Sequence, residues 1–358
     1  MILTIVDIIS VVTIFLLLLF SLFLLNYKRG DRQSHKLLAA FLFFNAVYII
    51  GFLLPVIKNF LNIDLTSFEN AGYSTGFLFG PLLYLYTKSI TEQNFKFGSK
   101  YYYHFLPFLL IFANYLSSNL LSYSIVTVGL HTQTLSYMIL ILVILARYRK
   151  KLKDYYSSVE KLNLSWLVIV VFAFITMWMT DLLSFILWSV DPGFSNYNPY
   201  LVLISLSINF VFANYIVYKG LTHPDLFIKG EEQEKYKTSV LNDDLKDEYL
   251  GKLVDYVESE KPYLTPGLTL SDVSKELDIH PKYLSQVINE NLNKNFHDFI
   301  NYYRIKEAQR QIEESIESRK TILEVLYDCG FNTKSVFNTS FKKIVGLTPT
   351  QYKNTIAN

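Results

Sequence analysis

Cysteine is nearly absent from this chain of 358 residues. Cys329 stands alone, so no disulfide framework can form within one chain and no cysteine-based metal site can be built. Charge is scarce too, at 18% of residues against 51% hydrophobic and 16% aromatic. That balance is too apolar for an ordinary soluble domain. No H-E-x-x-H pair offers a zinc site. The apolar runs carry no mid-run lysine and no paired carboxylates. An enzyme reading therefore has little support, and no cofactor or metal is expected.

What is abundant is long apolar sequence. Seven runs are long enough to span a bilayer at roughly 17 residues or more: about 8–25, 37–57, 71–88, 102–121, 124–146, 164–190 and 199–218. The third is interrupted by Gly76, Gly80 and Pro81. Charge alternates between the connecting loops. Lys28, Arg29, Arg32 and Lys36, then Lys88, Lys96 and Lys100, then Arg147, Arg149, Lys150, Lys151, Lys153 and Lys161 fall on one side, and only Lys58 on the other. Positive charge marks the cytoplasmic face. The expectation is a multi-pass protein of the cytoplasmic membrane, N-terminus outside and C-terminal part inside. A buried soluble core gives no reason for that alternation. The first run lacks a basic leader and a small-residue cleavage site, so it reads as a retained span rather than a signal peptide.

The outer loops are too short for a separate sensor domain, so a small-molecule or lipid signal must act on the spans or at their surface. Ionisable groups at depth are costly and mark candidate functional sites. Asp181 in "MWMTDLLSF" and His131 in "VGLHTQTL" are the sensing candidates, with polar packing as the competing role. For Asn45, Asn114, Asn209 and Asn214, interhelical hydrogen bonding is the expected role, and Gly76-x-x-x-Gly80 reads as a packing device.

The composition then changes. Residues 1–224 hold 15 Lys+Arg and 9 Asp+Glu, whereas residues 225–358 hold 18 and 22. Residues 225–261 are acidic and contain one amphipathic helix, capped by Asn242, with Leu245, Tyr249, Leu253 and Val257 in its stripe. It packs within its own domain or pairs with a second copy, giving a homodimer. Thr269 caps "LSDVSKEL" and Pro281 opens "PKYLSQVINEN". Leu284, Val287 and Ile288 form the buried stripe of the latter, while Lys282, Ser285, Gln286 and Asn289 point away. "TILEVLYDC" stops at Gly330, and Asn332 or Thr333 caps the next helix. There Phe337 and Phe341 bury, and Lys334, Asn338 and Lys342 share another face. Two helix-turn-helix patterns thus flank one long helix. Its roughly 19 residues span about 28 Å, close to the ~34 Å between successive major-groove faces on one side of DNA.

The runs "YLSQVINE", "NFHDFINYYRIKEA" and "CGFNTKSVFNTSFKKIVGLTPTQYK" resemble the DNA-binding domain of AraC-type transcriptional regulators, over residues 262–353. The whole arrangement is similar to regulators of that class with a multi-span N-terminal half. The resemblance implies that Lys282, Ser285 and Gln286 read bases in the first unit, and Lys334, Ser335 and Asn338 in the second. Lys342 and Lys343 would meet phosphate. Asn289 and Asn332 complete the candidate interface. Two positions depart from the pattern: Leu326 replaces the usual alanine and Thr339 the usual arginine, so a weaker second unit is expected.

The expected fold is all-α: a seven-helix transmembrane bundle (1–220), an acidic juxtamembrane linker helix (221–261) and a cytoplasmic double helix-turn-helix domain (262–358). The expected function is membrane-embedded regulation through promoter DNA, with lipid as the other partner. A transporter or membrane enzyme fused to a regulator, and a constitutive membrane tether for DNA, are the alternatives.

Overall fold

A computed structural model describes residues 5–28, 31–92, 95–117, 120–158, 164–190, 198–222, 242–318 and 320–357. All regular structure among them is helical, apart from one antiparallel bridge pairing Tyr156 with Thr269. The chain divides into two compact units: Met1–Ala146 with Leu164–Gln233, and Arg147–Asn163 with Glu234–Asn358.

The first unit is built on α1 (Ile5–Asn26), α2 (Arg32–Leu61), α3 (Thr66–Ser74), α4 (Gly76–Thr91), α5 (Leu106–Leu116), most of α6 (Tyr123–Tyr155), α7 (Ser165–Val190) and α8 (Asn198–Thr222). Five helices are long and apolar enough to cross a membrane: α1, α6, and the stretches Arg32–Gly51, Trp166–Val190 and Tyr200–Gly220 of α2, α7 and α8. The expected third and fourth spans are each assembled from two adjoining shorter helices. The third divides at Thr75 into α3 and α4. The Ser74 and Thr75 hydroxyls donate to the Ala71 and Gly72 carbonyls, each at 2.6 Å, where the helix ends. The fourth is shared between a 3-10 helix, Ser99–Phe105, and α5. The seven 3-10 residues at ~2.0 Å each and the 11 residues of α5 at ~1.5 Å each together reach about 30 Å, the thickness of the hydrocarbon core.

Although short, α4 is deeply buried from Gly76 to Leu83. A Cβ on Gly80 would lie 2.7 Å from the Tyr137 ring, so the missing side chain lets α6 approach α4. Phe79 meets Phe41 and Phe174 edge-on at 6.1 and 5.8 Å. Asn45 donates across to Asn209 at 3.3 Å, the interhelical role expected of it.

Residues 223–241 of the expected linker lie outside the described residues, as do Arg29 and Lys161 of the basic loops. The rest of it forms α9 (Asp243–Glu260), which belongs to the second unit. It is followed by α10 (Leu270–Leu277), α11 (Pro281–Leu292), α12 (Phe296–Ser318), α13 (Ile322–Asp328), α14 (Lys334–Val345) and α15 (Pro349–Ala357). α9 packs on α11 through the Lys246–Glu290 ion pair at 3.0 Å and the Tyr249–Tyr283 rings. Leu253 and Val257 are fully buried in the first core, with Leu270, Val273, Leu284 and Ile288. A second core gathers Phe331, Phe337 and Phe341 with Val325, Leu326 and Cys329. α12 serves both: Phe296, Phe299 and Ile300 face the first, and Ile305, Ala308 and Ile312 the second.

Candidate nucleic-acid interface

Each helix-turn-helix begins with the same local device. Thr269 accepts from the Asp272 amide at 3.1 Å, and Asp272 accepts from the Thr269 amide at 2.8 Å. Thr321 and Glu324 repeat this reciprocal cap at 3.2 and 2.7 Å. The reading helices are capped differently. The His280 ring nitrogen Nδ1 accepts from the Lys282 amide at 3.2 Å, ahead of Pro281. In the second unit Thr333, rather than Asn332, is the cap, accepting from Val336 at 3.4 Å.

On α11, Leu284, Val287 and Ile288 are buried, which turns Lys282, Ser285, Gln286 and Asn289 outward. Lys282, Ser285 and Gln286 are half-buried and Asn289 is exposed. Gln286 Nε2 donates to Glu290 Oε1 at 3.0 Å, and Asn289 Nδ2 donates to the Ser285 carbonyl at 2.7 Å. These intrahelical bonds hold the amides along the helix surface, and a base edge would have to replace them. Glu290 also takes Lys246 from α9.

On α14, Phe337 and Phe341 are buried. Asn332, Lys334, Ser335, Lys342 and Lys343 are exposed, and Asn338 is half-buried. Among the described residues Lys334 and Lys342 form no ion pair, whereas Lys343 Nζ lies 3.2 Å from Asp298 Oδ2 in the first turn of α12. His297 beside it, and then Lys343, hold the Asp298 carboxyl well below the usual carboxylate range. Lys343 is therefore partly committed to fastening α14 to α12. Leu326, where the pattern has alanine, is fully buried in the second core, and Thr339 is exposed.

Arg304 is a site residue that the sequence reading missed. It is fully buried, with Nε donating to the Tyr263 carbonyl at 2.7 Å and Nη2 to the Thr265 carbonyl at 2.9 Å. Its guanidinium also lies over the Phe331 ring at 5.5 Å. The signal was available: Arg304 stands between Ile300 and Ala308, at helical spacing, on the apolar face of α12. Gly330 closes the same seam. Its φ is +79°, and a Cβ there would lie 2.7 Å from the carbonyl oxygens of both Tyr263 and Leu264.

In the first unit, the His131 ring lies 6.0 Å from Trp178 and 5.8 Å from Phe185, the residues that bracket Asp181 by three and four positions on α7. Asp181 is half-buried and hydrogen-bonded with Ser205 of α8. Gly72-Tyr73-Ser74-Thr75-Gly76 does spell the G-x-S-x-G spacing of serine hydrolases, contrary to the expectation that no such motif is present. That motif works on a strand-to-helix elbow. Here it spans the junction of α3 and α4 with no strand before it, and the Ser74 hydroxyl is buried and donates to the Ala71 carbonyl. No cluster of His, Cys, Asp and Glu fit to hold a metal occurs among the described residues.

Residues 273–355 match the family model described as a helix-turn-helix domain. An uncharacterised HTH-type transcriptional regulator of Staphylococcus aureus (strain COL) is 30% identical over 115 residues, 32% of this chain and 14% of that protein. The uncharacterised HTH-type transcriptional regulator YtdP of Bacillus subtilis (strain 168) is 30% identical over 86 residues, 24% of this chain and 11% of that protein. The likeness thus spans a small part of the relatives' length. No solved structure matches the chain. The paired capping boxes, the two reading helices on α12 and the family match together make residues 273–355 a helix-turn-helix domain of the AraC type.

Proposed function

We propose that this protein is a transcriptional regulator held in the cytoplasmic membrane, which binds promoter DNA sequence-specifically through its C-terminal domain and does so in response to a signal met in the bilayer. The observation that carries the reading is the coexistence, in one chain, of five helices apolar enough to span and a domain with two outward polar reading faces. The names of the relatives support the regulatory part. The basic loops support an N-terminus outside and a DNA-binding part inside. DNA contact falls to Lys282, Ser285, Gln286 and Asn289 on one face, and to Asn332, Lys334, Ser335, Asn338, Lys342 and Lys343 on the other. A small-molecule or lipid signal acts on the spans, with Asp181 and His131 as the sensing residues. Their place between α6, α7 and α8 supports a role in choosing between helix packings.

The test uses the full chain in membranes. Promoter occupancy is mapped across the genome for the parent and for Asp181→Asn at equal membrane level. Discrete sites, with occupancy changed several-fold by Asp181→Asn, are the expected outcome. Discrete sites with occupancy unmoved by Asp181→Asn and by His131→Ala would leave a passive tether. An absence of discrete sites would end the regulator reading.

A further inference from the structure

The end of α6 has a role that the membrane half does not explain. This helix runs 33 residues, about 50 Å, well beyond a hydrocarbon core of ~30 Å. Its last turns, from Arg147 on, belong to the compact unit that contains the helix-turn-helix domain. Immediately after it, Tyr156 pairs with Thr269 in an antiparallel bridge. The Ser157 amide donates to the Leu268 carbonyl at 3.1 Å, and the Ser157 hydroxyl donates to the same oxygen at 2.6 Å. Arg304 Nη2 reaches the Ser157 hydroxyl at 3.4 Å. Ser157 is 1% exposed, and the Tyr155 ring packs on the first core. A loop passing casually over a surface would not bury a serine, pair a strand residue and approach a buried guanidinium together.

We propose that the strip formed by residues 263–269 and Arg304 is a docking surface for residues 155–157 of the same chain, and that this dock restrains the DNA-reading domain. The surface suits a short extended segment with a small hydroxyl residue. It offers the backbone edge of Leu268 and Thr269, and Arg304 lies behind them. The occupant is this chain's own, because Ser157 follows the end of α6 by two residues. The dock holds the N-terminal cap of α10, the first helix of the first helix-turn-helix. It gives the domain a second attachment besides the chain that leads into α9. A domain held at two points meets a duplex with less freedom of approach than one held at a single point.

The experiment uses the full chain in lipid nanodiscs. Directly opposed residues of an antiparallel pair have Cα atoms ~4.5–5.5 Å apart, within disulfide range. Tyr156→Cys with Thr269→Cys should therefore oxidise to a crosslink within one chain, while Tyr156→Cys alone should not. No crosslink, or a crosslink only between two chains, would overturn the dock. Ser157→Glu, too large and charged for the site, should tighten binding to a target duplex by about fivefold or more, the lower range of allosteric couplings. Ser157→Ala should move it the same way by less, and the oxidised pair should bind more weakly than its reduced form. Affinities within twofold throughout would overturn the restraint. A parent that binds no duplex would end the DNA-binding reading and the restraint with it, while the crosslink still decides the dock.

Discussion

The two helix-turn-helix units start alike and diverge at their reading helices. Both open with a reciprocal threonine–carboxylate cap. α11, however, presents one lysine among amides and hydroxyls, is backed by α9, and keeps Glu290 beside Gln286. α14 carries three lysines and no acid, and residues 333–358 add a fourth lysine and still no acid. Amides that can bond base edges confer sequence choice, whereas lysines on phosphate confer affinity and salt dependence. Under the proposed function, the contrast would divide the labour, with the first unit discriminating and the second holding. The missing arginine at Thr339 takes one cation from that grip, which then rests on lysine charge alone and is weaker than the family pattern would give.

The largest effect should come from the seam that the two units share. Gly330→Ala adds a Cβ 2.7 Å from two carbonyl oxygens at a φ that side chains rarely adopt. A loss of about 2–3 kcal/mol is expected, read as a lower unfolding midpoint of the full chain in detergent. An unchanged midpoint would mean that the seam opens to admit the methyl. Next comes Gln286→Ala, at roughly 1–3 kcal/mol of discrimination in one half-site, measured by binding to a set of single-base variants. If every duplex weakened equally, the first unit would not be the discriminating one.

Lys342→Ala should weaken all sequences alike and lower the salt slope by about one. The smallest effect on DNA is expected from Lys343→Ala, because Lys343 is already engaged by Asp298. Equal salt slopes for the two lysine variants would erase that distinction. The His297 hydrogen bond on Asp298, together with the same ion pair, sets a pH dependence. The folded pKa of Asp298 lies below its unfolded value. Its stabilisation is therefore present above the ordinary carboxylate range and is lost as pH falls through the depressed value. Asp298→Asn should remove part of the acid sensitivity in thermal melts below about pH 4.

The C-terminal domain was largely legible in the sequence because its signals are local. Thr269 and Thr321 with acids three residues on, Pro281, Gly330 and the Phe337–Phe341 pair each fix a short piece of backbone without distant help. The apolar N-terminal half was legible in its long runs and less so where polarity and helix junctions decide. Apolarity put spans at 71–88 and 102–121, but hydropathy registers neither the junction of α3 and α4 at Thr75 nor the 3-10 turn ahead of α5. The outward residues of α11 and α14 follow from the buried stripes opposite them. Arg304 and Ser157 did not emerge, because their partners are backbone oxygens of Tyr263, Thr265 and Leu268, far away along the chain and invisible to any spacing rule.

α12 supplies side chains to both cores, Ile300 to one and Ile305 to the other, within little more than one turn. A helix of this kind in water is held chiefly by what packs against it. Stripping either core would fray α12 toward the other and uncover its apolar side chains. Melting should therefore pass through the domain as a single cooperative transition rather than as two. Clipping or destabilising one helix-turn-helix unit would then cost both, so a single-headed form of the domain should not accumulate.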